Sequence, residues 1–74
     1  MIPNREVIEA LKKEYPIGTR VELVKMDDFQ APPIGTRGNV RVVDGMGTIH
    51  VNWDTGSGLG VVYGEDIIKK VKGE

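Results

Sequence analysis

Thr48-Ile49-His50-Val51-Asn52-Trp53-Asp54 decides the fold. Ile49, Val51 and Trp53 fall on one face of this stretch, and Thr48, His50, Asn52 and Asp54 on the other. A period of two belongs to a strand with one face buried and one solvated. Trp53 is the only Trp and the largest apolar body in the chain, so it is expected to anchor the core. Immediately upstream, Asp44-Gly45 signals a tight hairpin that Gly47 closes. Before it, a strand from about Thr36 to Val43 is expected to point Val40 and Val42 inward. Downstream, Asp54-Thr55-Gly56-Ser57-Gly58 reads as a turn into a strand from Leu59 to Tyr63, with Gly60 marking a close backbone approach. Gly64-Glu65-Asp66 makes a short corner, and Ile67 to Val71 a last strand.

Further out, Pro16-Ile17-Gly18-Thr19-Arg20 recurs as Pro33-Ile34-Gly35-Thr36-Arg37. In each copy Pro presets a turn, Gly takes the backbone shape other residues avoid, and Thr opens a strand. A paired anion site at Arg20 and Arg37 is the functional alternative for this repeat. The strand after the first copy, Thr19 to Met26, turns Val21 and Leu23 inward and Arg20 and Glu22 outward. Val24 and Met26 then break the alternation, which predicts a bulge or bend. Asp27 to Ile34 is a long polar loop stiffened by Pro32-Pro33. At the N-terminus, Pro3 to Glu14 reads as a helix capped by Asn4, with Glu6 in its first turn and Lys12-Lys13 in its last. Its apolar stripe of Val7, Ile8, Ala10 and Leu11 must pack on the sheet or on a second copy, because about three turns are marginal alone. Pro16 ends it at Tyr15.

Short strands separated by turns at intervals of about eight to twelve residues predict a mainly β fold: a small five-stranded SH3-like barrel, closed or nearly so, preceded by one N-terminal α-helix. Residues 1–15 are the helix, 16–72 the barrel and 73–74 a frayed tail. The 74 residues are enough for one small domain, which buries only about 60% of the surface its unfolded chain exposes. There is no Cys, hence no disulfide, thiolate metal site or Cys nucleophile. No leader-like start and no apolar run near the roughly 20 residues of a membrane span is present. A cytoplasmic protein without membrane attachment is expected. Net charge is −1, and the basic clusters Lys12-Lys13 and Lys69-Lys70-Val71-Lys72 read as solvated surface.

Three blocks carry a family resemblance: Tyr15 to Asp28, Pro33 to Gly38, and Ile49 to Gly56. In this order they resemble the bacterial and phage family of unknown function numbered 4314, over roughly Tyr15 to Val71. The family lends no activity to any residue. The layout is also similar to Mind-bomb-type barrels, in which a Val-x-Trp-Asp-x-Gly strand and turn precede a Gly-containing strand. That likeness implies peptide binding by analogy of fold.

Catalysis is not expected. A Ser-His-Asp set would need Ser57, the only Ser, beside His50, the only His, in tight mutual geometry. Asp27-Asp28 and Glu65-Asp66 read as turn formers, since no calcium-loop spacing surrounds them. No Gly-rich phosphate loop opens a helix. No metal and no cofactor are expected. The sequence points first to a non-enzymatic protein- or peptide-binding module using the loop 27–34 and the barrel rim, with Asp27, Asp28, Phe29, Trp53 and Tyr63 as contacts. Phe29, the only Phe, either covers the barrel mouth or is exposed as a contact. The first alternative is a nucleic-acid-binding barrel using Arg37, Arg41, His50 and Asn52, against which stand the charge balance and the lack of a stacking platform. The second is a self-associating accessory protein, a homodimer through the helix stripe.

Overall fold

The computed structural model describes residues 4–72. Among them one helix, α1 (Arg5–Glu14), precedes five strands: β1 (Arg20–Lys25), β2 (Arg37–Val43), β3 (Thr48–Trp53), β4 (Val61–Val62) and β5 (Ile67–Lys70). The strands form one antiparallel sheet in the order β4-β3-β2-β1-β5. The first four strands pair with their sequence neighbours, and β5 returns to β1. The sheet is not closed, and β4 and β5 are its two edges. The expected start of the helix at Pro3 and the tail at Gly73-Glu74 lie outside the described residues.

α1 begins where Asn4 takes an extended backbone and its Oδ1 accepts the Val7 N–H at 2.9 Å. It ends at Tyr15, ahead of Pro16. None of its residues is fully buried. Leu11 is half-buried against the core, as is Tyr15 just beyond the helix, and Val7 and Ile8 are half-buried as well.

Both copies of the repeat fold alike. Thr19 N–H reaches the Pro16 carbonyl and Thr36 N–H the Pro33 carbonyl, each at 3.0 Å, with Gly18 at φ 92° and Gly35 at φ 94°. Positive φ at the third residue alone defines a type II turn, which favours Gly there. Each Gly N–H then donates across the sheet at 2.8 Å, Gly18 to Val40 and Gly35 to Leu23. The turns therefore fix where β1 and β2 begin.

Val21 and Leu23 of β1 are buried. Val24 faces outward by plain alternation, and the β1–β5 register shift between Leu23 and Lys25 returns Met26 rather than Lys25 to the core. β2 departs from expectation. Its register against β3 shifts between Val40 and Val42, leaving Arg41 as the extra residue. Val42 is consequently 41% exposed and Val43 is buried in its place. In β3, Ile49, Val51 and Trp53 are all buried, as the alternation requires.

β4 is two residues long rather than Leu59–Tyr63 because the flanking backbone is engaged elsewhere. The Leu59 carbonyl accepts the Trp53 indole N–H at 2.8 Å, and the Val62 carbonyl accepts from Glu65 and Asp66 in the corner. Gly60 lies flat on β3, where a Cβ would come within 2.7 Å of Thr48 Cγ2. The core is Val21, Leu23, Met26, Val40, Val43, Ile49, Val51, Trp53 and Val61, with Ala31, Leu59 and Ile68 packed around it.

Candidate functional site

The loop between β1 and β2 is ordered by its own backbone. Asp28 Oδ1 accepts the Gln30 N–H at 2.8 Å, and the Asp28 carbonyl accepts the Ala31 N–H at 2.9 Å. This places Phe29 at the tip of a tight turn. Behind the tip, Ala31 packs on the core and Pro32 is buried. Phe29 is 96% exposed, so it stands in solvent rather than folding back over the core. Ile34, the second residue of the second type II turn, is 61% exposed on the same loop. Asp27 and Asp28 beside Phe29 are exposed too. The loop is thus an apolar knob with two carboxylates at its base.

The remaining expected contacts lie elsewhere. Trp53 is 3% exposed, and its indole holds the loop 54–60 through Leu59 rather than facing a partner. Tyr63 is half exposed and lines a groove of about 360 Å³ with Leu11, Tyr15, Val61, Ile67 and Ile68, on the side where the sheet stays open between β4 and β5. A second groove, of about 350 Å³, is lined by Lys12, Tyr15, Pro16, Ile17, Val42 and Val43. Sequence reading missed both grooves. The signal for the second was Ile17, a large apolar residue in a turn position that faces solvent.

On the polar face of the sheet the charges pair with one another. Arg20 grips Asp54 with both terminal nitrogens, Nη1 to Oδ1 at 2.9 Å, and also reaches Asn39. Hydrogen bonding from Arg20 and then its charge hold the Asp54 carboxyl below the ordinary carboxylate range. Arg37 donates to Glu22 at 3.2 Å, and Lys69 approaches the same carboxylate at 3.6 Å. Arg20 thus bonds Asp54 and Arg37 bonds Glu22, while the Arg37 charge also acts on Asp54. Asn52 and Arg41 are exposed.

His50 Nε2 lies 2.8 Å from Asp44 Oδ2, while Asp44 Oδ1 accepts the Met46 and Thr48 N–H groups at 2.9 and 3.0 Å. Asp44 is the hub of the β2–β3 hairpin, and these bonds, the one from His50 first, lower its pKa. Ser57 Oγ accepts the Leu59 N–H at 3.2 Å. Ser57 and His50 are each engaged with a different partner. Asp28 and Asp66 both accept backbone N–H groups in turns, in keeping with their reading as turn formers.

A family model described as Domain of unknown function (DUF4314) matches residues 4–71. The matched segment includes α1, which the resemblance in the three sequence blocks leaves outside or at its edge. No curated protein and no solved structure shows significant similarity to the chain.

Proposed function

Because the chain belongs to the DUF4314 family, whose name carries no function, we propose its role from its own surface: a small non-enzymatic protein- or peptide-binding module, an SH3-like barrel working in a bacterial or phage cytoplasm. The observation that carries this reading is Phe29, 96% exposed on a turn that Asp28 closes with both its side-chain and its backbone oxygen. Burying such a side chain would stabilise a small fold by about 1.5–3 kcal/mol. This fold forgoes that and holds the ring in solvent on an ordered loop, with Ile34 as a second apolar contact. Aromatic anchors of this kind dominate interface energetics.

The test uses peptides selected by display on the immobilised protein, with affinities read by fluorescence anisotropy. Phe29→Ala and Ile34→Ala weaken binding, the former about tenfold or more. Met46→Ala, an apolar position on the β2–β3 hairpin about as exposed as Ile34, leaves it unchanged. Selected peptides that bind Phe29→Ala and Ile34→Ala as tightly as the parent would sink the reading.

One feature favours the nucleic-acid alternative. Arg37, Lys69, Lys70 and Lys72 line a groove of about 310 Å³ with Glu22 and Val71. Glu22 offsets part of that charge through its bonds to Arg37 and Lys69. Of the contacts expected for this reading, only Arg37 lines the groove. Affinity for mixed DNA and RNA oligonucleotides that falls steeply with added salt would support it, and an affinity indifferent to salt would remove it.

A further inference from the structure

We propose that the receptor for the Phe29 knob is a second copy of this chain, and that the knob docks into the groove formed by Lys12, Tyr15, Ile17 and Val42. The proposal rests on the loop being the contact surface and names its partner. Both halves of the contact are present in one chain, and neither is satisfied within it. Phe29 at 96% exposure touches almost nothing of its own fold. Ile17, at the rim of the groove, is 79% exposed, and the β2 bulge turns Val42 outward to join it.

Charge selects this groove over its neighbour. The knob carries Asp27 and Asp28 at its base. Lys12 lines the receiving groove, and Arg41, exposed, precedes Val42 in β2. Among the described residues neither Asp27 nor Lys12 has an ion-pair partner. The groove beside Tyr63 is more apolar but is lined by Asp66, which repels the knob's carboxylates. An apolar ring seated between Ile17 and Val42, with opposite charges around it, follows the pattern of a buried anchor inside a polar rim. Complementary charge of this kind also fixes the register of docking.

The knob and the groove are different surfaces, so the contact is head-to-tail. Such a contact propagates from copy to copy and closes only if the rotation allows a ring. One side chain and its surroundings bury less than a standard interface, so the association is weak and concentration-dependent.

Sedimentation velocity on the full chain from about 10 μM to about 1 mM, the span of weak affinities, tests this. The mean mass rises with concentration in the parent chain, and Phe29→Ala weakens association about tenfold or more. Asp27→Lys with Asp28→Asn in one variant, which keeps an oxygen for the Gln30 N–H, and Lys12→Glu with Arg41→Glu in another, each stay monomeric alone. Mixed together they assemble, because each knob now meets a groove of opposite charge. A parent chain that stays monomeric throughout overturns the proposal, as does Phe29→Ala assembling like the parent, or a mixture that stays monomeric. A monomeric parent whose selected peptides still require Phe29 would end self-docking and leave the peptide-binding reading intact. Circular dichroism on every variant confirms that these exposed substitutions keep the fold.

Discussion

Asp44 shows how much one side chain organises. Its two oxygens take three bonds, from two backbone N–H groups and from the His50 ring, and together these close the hairpin between β2 and β3. Its carboxyl has a lower pKa folded than its ordinary value of 3.8. A depressed carboxyl adds stability above its unfolded pKa, and that stability is lost as pH falls through the folded value. Asp44→Asn should therefore cost about 1 kcal/mol at pH 7, with the gap to the parent shrinking once pH drops below about 4. Urea unfolding at pH 7 and pH 3 reads both. A gap that is equal at the two pH values would mean the charge contributes nothing. Asp44-Gly45 was legible as a turn from its dipeptide alone. The bond to His50 was not, because a strand pattern shows which residues share a face but not which ones reach the turn.

Among the elements, β3 and α1 follow their patterns and β2 does not. β3 is regular along its length, so alternation alone places its buried residues. The cap of α1 is equally local, and Asn4→Ala should lower stability by about 1 kcal/mol. A shortfall in helical circular dichroism alongside that loss would place the effect in α1. In β2 the bulge at Arg41 inverts the facing of everything after it, and no residue type in the sequence announces it. The inversion is checkable by one hydroxyl. Val43→Thr places it in the core and should cost about 1–3 kcal/mol, whereas Val42→Thr meets water and should stay within about 0.5 kcal/mol of the parent. Equal costs at both sites would contradict the bulge. β4 is shorter than its apolar run for a different reason: the Leu59 and Val62 carbonyls are bonded outside the ladder.

For the whole molecule, the strand count and the helix were legible, but closure was not. Whether the last strand seals against the fourth depends on long-range twist, which turn spacing does not encode. The result is a sheet with two short edges, and the amides of β4 and β5 should exchange hydrogen with solvent faster than those of β2. Hydrogen-exchange mass spectrometry checks this, and uniform protection across all strands would indicate a closed barrel in solution. The exposure of Phe29 was likewise beyond the sequence, since a lone aromatic in a polar loop fits a lid as well as a knob. Leu11 and Tyr15 tie α1 to the sheet while staying only half-buried. Leu11→Ala should therefore cost about 1–2 kcal/mol, below the range for a fully buried Leu. The family match from residue 4 fits a helix that belongs to the folded unit.

The buried indole of Trp53, tethered to the Leu59 carbonyl, gives the protein a built-in fluorophore. Its emission should sit toward the blue, as for a ring shielded from water, and shift to the red when the strap over it lifts. No dye or label is then needed to watch a ligand that reaches that strap, and one that settles only on the Phe29 loop should leave the colour unchanged.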